Sequence, residues 1–185
     1  MKMDAVFDPT KKYRYLLSRE WNASLPRLLY VMLNPSIASH EVEDQTSKQC
    51  FYFAEKFGFG SLEVVNLYAF ISTDPNKLKS MIDPIGSEND KYILDAASRA
   101  TTIVTAWGEK HFINQRHNKV AKLLTSEGHQ LHCLGIAKSG HPRHPSRMSH
   151  NIESLTLYST EDYLRKLHVP QKIITVVPTV TNRKF

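Results

Sequence analysis

The residues best suited to chemistry in this chain each follow a short apolar run. Asn34-Pro35-Ser36 closes the run Leu28-Leu29-Tyr30-Val31-Met32-Leu33. An Asn there can hold a water through its carbonyl oxygen and donate through its amide. Backbone N–H groups just beyond a fixed turn, with Ser36, suit a phosphate; a plain Asn-Pro turn accounts for the same residues. Asn66 closes Leu62-Glu63-Val64-Val65. A buried Asn must satisfy its amide, against backbone or against the edge of a ligand base. Tyr68 and Phe70 follow closely, as a stacking surface for a ring or as core. The stretch His141-Pro142-Arg143-His144-Pro145-Ser146-Arg147-Met148-Ser149 is the densest. Its prolines stiffen the loop, and its His, Arg and Ser residues favour an anionic ligand. A His at a strand end can donate to an oxyanion on a leaving group. Asp44, beside Glu43, follows the first run and serves either as a base or as a helix cap.

Other chemistries fit poorly. Cys133, His141 and His144 lack the paired Cys-x-x-Cys or His-x-x-x-His spacing of a metal site, so neither metal nor cofactor is expected. There is no Walker loop, no G-x-G-x-x-G and no G-x-S-x-G, which argues against the common nucleoside-triphosphate, dinucleotide and serine-hydrolase sites.

These side chains need elements to hold them. The chain has 185 residues, 41% hydrophobic, enough for one domain with a core. The runs at 28–33, 62–65, 102–106 and 130–134 read as strands. Cys50, Phe53, Ala54 and Phe57 recur at helical spacing, ended by Gly58 and Gly60. Ser87-x-x-Asp90 resembles a capping box opening a helix through about Arg99. Ile113, Val120 and Leu124 mark one face of a third helix, closed by Gly128. Lys11 to Trp21 alternates weakly and reads as a leading strand or hairpin arm. Strand–helix–strand alternation implies a parallel sheet with helices on both faces. The expected fold is a three-layer α/β/α arrangement around a four-stranded, mostly parallel sheet. All four strand ends then share one edge, where open α/β sheets bind ligands. Residues 1–150 read as the domain, and 151–185 as an appendix with a helix at Glu161–Leu167, a strand at Ile173–Val177 and a frayed tail.

Charge and cysteine content bound the setting. The formal charge is +6, and between Lys110 and His150 there are seven Lys/Arg and seven His against one acid, Glu127. Such a stretch suits a polyanion, and equally a solvated surface. Cys50 and Cys133 sit in apolar segments and give no disulfide framework. Neither a signal peptide nor a membrane span is read from the sequence. The expected setting is cytoplasmic, and the expected state a monomer.

From about Arg14 to His150 the chain closely resembles a bacterial and phage family, domain of unknown function 1643. The resemblance is carried by Arg14-Tyr15-Leu16-Leu17, Val31-Met32-Leu33-Asn34-Pro35-Ser36, Val64-Val65-Asn66-Leu67, Asp83-Pro84 with Glu88-Asn89-Asp90, Ala106-Trp107-Gly108, and Cys133-Leu134-Gly135 through Pro142-Arg143-His144-Pro145.

The order of motifs is also similar, more distantly, to the uracil-DNA glycosylase superfamily. Leu33-Asn34-Pro35 resembles the water-activating loop of its mismatch-specific branch. Asn66 falls where that superfamily has a base-reading Asn, and Ala106-Trp107-Gly108 resembles its Leu-Trp-Gly. His144-Pro145-Ser146-Arg147-Met148-Ser149 matches four of six positions of its His-Pro-Ser-Pro-Leu-Ser loop. This resemblance implies DNA as partner and cleavage of the N-glycosidic bond of a damaged, mismatched or modified base. It implies that Asn34 positions water, that His144 bonds the departing base, and that Asn66, with Tyr68, Phe70 and Trp107, binds the base. Ser36, Arg143, Ser146, Arg147 and Ser149 would then meet phosphates, and Met148 would fill the gap left by a flipped nucleotide. Three departures stand out. Asn34 replaces the Asp of the most active branch, Leu33 replaces a glycine, and Arg147 replaces the loop's second Pro. Two alternatives stay open: a binding protein without the reaction, and an enzyme acting on a free nucleoside or nucleotide.

Overall fold

The structure is a computed structural model, and it describes residues 1–36, 45–110 and 112–159. The protein is α/β, built on a mixed sheet of seven strands. These are β1 (Lys2–Phe7), β2 (Arg14–Glu20), β3 (Arg27–Met32), β4 (Ser61–Asn66), β5 (Thr102–Thr105), β6 (Leu131–Cys133) and β7 (Thr156–Leu157). Their order is β1-β2-β4-β3-β5-β6-β7. The four strands read from sequence form the parallel middle, β4-β3-β5-β6. The expected four-stranded sheet is therefore incomplete. β1 and β2 extend it antiparallel on one side, and β7 on the other. β1, Lys-Met-Asp-Ala-Val-Phe, has an exposed polar half, and β7 has two residues; neither carries the apolar run that marks a buried strand.

The central strands are apolar on both faces because both faces are covered. Leu29, Val31, Val65, Leu67 and Ile103 pack with Ile93, Ala96 and Ala97 of helix α2 (Asn89–Arg99) and with Val120, Ala121 and Leu124 of helix α3 (Arg116–Ser126). The intervening residues Leu28, Tyr30, Met32, Leu62, Val64 and Val104 pack with Cys50, Phe53 and Ala54 of helix α1 (Gln45–Lys56). The period of two sorts each strand onto two cores.

Three sequence expectations change. The capping box at Ser87–Asp90 does not form. Glu88 precedes the helix without a side-chain cap, and the Asp90 carboxylate pairs with Arg116 instead. Ile113 lies ahead of α3 rather than in it. Past residue 150, β7 pairs with β6, and Leu155 and Tyr158 are buried in the cores. The helix expected at Glu161–Leu167 and the strand at Ile173–Val177 lie outside the described residues, as do Glu43 and Asp44.

β2 carries a bulge. Val6 pairs with Leu16 but Phe7 with Arg14, so Tyr15 is one residue extra. An extra residue reverses the alternation beyond it. Tyr15 stacks on Tyr92 of α2 and Leu16 packs with the same core, whereas Arg14 returns to the α1 face with Leu17 and Arg19. The weak alternation of Lys11–Trp21 has this cause.

Candidate functional site

A pocket of about 160 Å³ lies on the α1 face, at the C-terminal ends of β3 and β4. Asn34, Ser36, Asn66 and His144 all line it, although they come from three separate segments. Arg14, Leu17 and Arg19 of β2 form one wall, and Thr46, Ser47, Cys50 and Phe51 of α1 another. Met32, Leu62 and Val64 supply apolar floor, and Ser72 and Thr73 a polar rim.

Asn34 is placed by backbone pairing beyond the strands. Tyr68 N–H donates to Leu33 O at 3.0 Å and Ser72 N–H to Pro35 O at 2.9 Å. The Asn34 amide nitrogen donates to Ser72 O at 2.8 Å and to Pro35 O at 3.0 Å. Both amide protons are thus used, which orients Oδ1 as the acceptor for a water or ligand.

Asn66 is 2% exposed, and its Nδ2 has no hydrogen-bond partner. Its position is fixed from behind. Asn89 Nδ2 donates to Asn66 O at 3.0 Å and to Leu67 O at 3.2 Å. Arg116 Nε donates to Leu67 O at 3.0 Å while its other end pairs with Asp90. The Asn89-Asp90 pair therefore works as a brace for the end of β4. The loop at Asp83-Pro84 adds to it: Phe70 N–H donates to Pro84 O and Ala69 N–H to Ile85 O.

His144 arrives on the loop after β6. That loop folds back on itself, with Arg143 N–H donating to Gly135 O at 2.8 Å. His144 Nδ1 accepts from Ser146 N–H at 3.4 Å and lies 2.8 Å from the Ser146 hydroxyl. A ring that accepts at Nδ1 carries its proton on Nε2 when neutral. Gly108, at φ +80°, passes under this residue; a Cβ there would stand 3.7 Å from His144 Cβ. Further along, His150 stacks on Tyr52 of α1 with centroids 3.9 Å apart and meets Gln49, which clamps the loop to that helix.

Other expected site residues stand elsewhere. Tyr68 is fully buried in the α2/α3 core, and its hydroxyl accepts from Ile113 N–H at 2.7 Å; it is a strut. Phe70 meets Tyr13 edge-on, and Trp107 packs against Tyr158 at 1% exposure. None of the three lines the pocket. Apolar neighbours claimed these rings before a ligand could. Arg143, Ser146, Arg147 and Ser149 are exposed on the loop outside the pocket. Met148 is half-buried against the α1 core, with its terminal methyl over Gly135. Cys133 lies in the core, where burial pushes its thiol up to about 12, so the Cys133, His141 and His144 set offers no thiolate at neutral pH. Among the described residues, no group of three His, Cys, Asp or Glu is placed to hold a metal ion. Arg14, Arg19, Thr46, Ser47 and Ser72 were not read as site residues. The only signal for the arginines was two positive charges within a partly apolar strand.

Fold and site together define an α/β protein with a small, donor-rich pocket at the ends of its parallel strands. The particular family follows from comparison: a family model matches residues 14–146, and the chain belongs to that family, DUF1643, described as a protein of unknown function. No curated protein matches the chain, and no solved structure matches it. No helix among the described residues is long and apolar enough to cross a membrane.

Proposed function

We propose that the pocket receives a single nucleobase flipped out of DNA, and that the protein is a DNA glycosylase-like hydrolase. The observation that carries this reading is the buried Asn66 amide without a partner, set in one pocket with Asn34 and His144. A base edge with an acceptor would satisfy that amide. The size agrees: the pocket is smaller than the roughly 300–1,000 Å³ usual for larger ligands, which suits a base better than a whole nucleotide. In the reaction, the bond from C1′ to the base nitrogen breaks and its electron pair leaves with the base. The His144 Nε2–H donates to the base carbonyl as charge builds there. A water held at Asn34 Oδ1 bonds to C1′, and its proton passes through solvent to the departed base. The exposed Arg143, Arg147, Ser146 and Ser149 would meet the DNA backbone, with the protein acting as a cytoplasmic monomer.

The test is strand cleavage after alkali treatment of oligonucleotides carrying a panel of modified bases. Product is expected with at least one base, falling about 10²- to 10³-fold in His144→Ala, in line with loss of one oxyanion donor. No product with any base, and unchanged DNA binding in His144→Ala, would refute the reading.

One observation favours a second reading, a DNA- or nucleotide-binding protein without the reaction. No carboxylate stands among the described lining residues to take a proton from water. Base-selective binding without product in the same assay would select it.

A further inference from the structure

We propose that a groove on the α2 side of the sheet is a second binding site, and that it takes the guanidinium group of an arginine side chain on a partner protein. The inference is independent of the nucleobase reading, since none of the groove's lining residues lines the pocket.

Three observations converge. First, aromatic rings and carboxylates share one space. Tyr13, Tyr15 and Tyr92 line a groove of about 350 Å³ together with Asp8, Asp83 and Glu88. The rings are nearly parallel, Tyr15 to Tyr92 at 5.0 Å and 3°, Tyr13 to Tyr15 at 6.4 Å and 9°. No Lys or Arg stands among the described lining residues; Lys11 and Lys12, just before Tyr13, are outside it. Glu88 meets Lys91 only at 3.9 Å, in an exposed pair. In a chain of formal charge +6, this is a local reversal of sign. Burial first, and the Asp83 carboxylate second, push the Tyr13 hydroxyl pKa up, as a negative groove requires. Second, the β2 bulge brings Tyr15 here at 5% exposure, and its hydroxyl bonds to no described residue. That oxygen reaches the groove at Gly86, where a Cβ would stand 3.3 Å from it. A buried tyrosine hydroxyl ordinarily finds a partner. Third, Asp83 is aimed in advance. Its Oδ1 accepts from Ile85 N–H at 2.9 Å and Gly86 N–H at 3.0 Å, which leaves Oδ2 for a ligand.

An aromatic face attracts a cation. A planar guanidinium stacks on such a face while its N–H groups reach carboxylate and hydroxyl oxygens at its edge; an ammonium is a point charge and does not stack. Asp83, Ser87 and Glu88 are exposed along the rim, and Ile82 beside them is fully exposed. A side chain can thus enter on a peptide, with Ile82 as an apolar contact for the flanking chain. A free amino acid would bring its own carboxylate against these acids.

The test is NMR titration of the full chain with N-acetylarginine amide, its citrulline and lysine counterparts, and free arginine. The readout is the tyrosine ring signals and the Gly86 amide, repeated on Asp83→Asn and Tyr15→Phe. The arginine amide is expected to give saturable shifts and to bind about tenfold tighter than the uncharged citrulline amide. Each variant should weaken it about threefold or more; Asn at 83 keeps the Oδ1 acceptor that holds the turn. Equal binding of arginine and citrulline amides by the unaltered protein overturns the inference, and needs no variant to fold. Lysine amide binding as tightly as arginine amide overturns the guanidinium assignment, and free arginine binding as tightly overturns the peptide-borne one. Arginine amide affinity unchanged in both variants, or shifts confined to residues around Asn66, overturns the site itself.

Discussion

The Asn66 side chain shows what the pocket costs the fold. A buried amide without a partner is unfavourable by about 1–3 kcal/mol, and Nδ2 of Asn66 is in that position. Asn66→Ala removes the amide next to space that is already empty, so little packing is lost with it. The variant should gain about 1 kcal/mol in urea unfolding, a size common for substitutions that trade function for stability, and should lose base-dependent binding. A loss of stability instead would mean that the amide supports the fold. His144 is a different case. Its ring is oriented locally by Ser146, two residues on, and the loop is tied down by His150 on α1.

At the scale of elements, the site depends on braces that touch no ligand. Asn89 at the start of α2 donates to the carbonyls of Asn66 and Leu67. Asn89→Ala leaves the first of these without that donor and should cost about 2 kcal/mol. For a chain of this length, that is a drop of roughly 4–8 °C in melting temperature, with weaker ligand binding beside it. A calorimetric scan checks both the sign and the size. The same level explains what could be read in advance. The four central strands were legible because both faces are buried and each run is apolar. Asn34, Asn66 and His144 were legible because polar residues ending such runs stand out. Tyr68, Phe70 and Trp107 lie outside the pocket, and aromatic type alone does not tell core from pocket. Arg14 was missed because its facing depends on a bulge set by pairing with β1, and one strand's sequence does not contain its partner.

Across the whole molecule, acid sensitivity should centre on one histidine cluster. His117 is buried, stacks on Phe112 at 3.9 Å and meets His141 edge-on at 5.1 Å. Burial first, and the neighbouring His141 second, lower its pKa from 6.5 to about 4. In the unfolded chain the ring takes a proton near 6.5, and in the folded chain only near 4. As pH falls, the unfolded state therefore gains its proton first. Stability from this group is complete above about 6.5 and is lost between 6.5 and 4, by at most about 3 kcal/mol. Urea midpoints at pH 7.5, 5.5 and 4.5 should fall in that order, and His117→Phe should flatten the trend. Charge at this scale is also less uniform than composition implies. Of the basic stretch, Arg116 is spent on Asp90, and His117 and His132 are buried, which leaves Arg143, Arg147 and the exposed lysines facing solvent.

The bulge at Tyr15 has a consequence for how this protein tolerates genetic change. Point substitutions in β2 alter one contact each. Loss of the Tyr15 codon would straighten the pairing with β1 yet leave Arg14 opposite Phe7 and on the α1 face, because the residue removed is the extra one. Leu17 and Arg19 would keep their places against β4. Such a deletion removes the ring stacked on Tyr92, so it would spare the pocket wall and thin the packing on α2. Natural length variants at this point of the chain would then differ in packing on α2 rather than in the pocket.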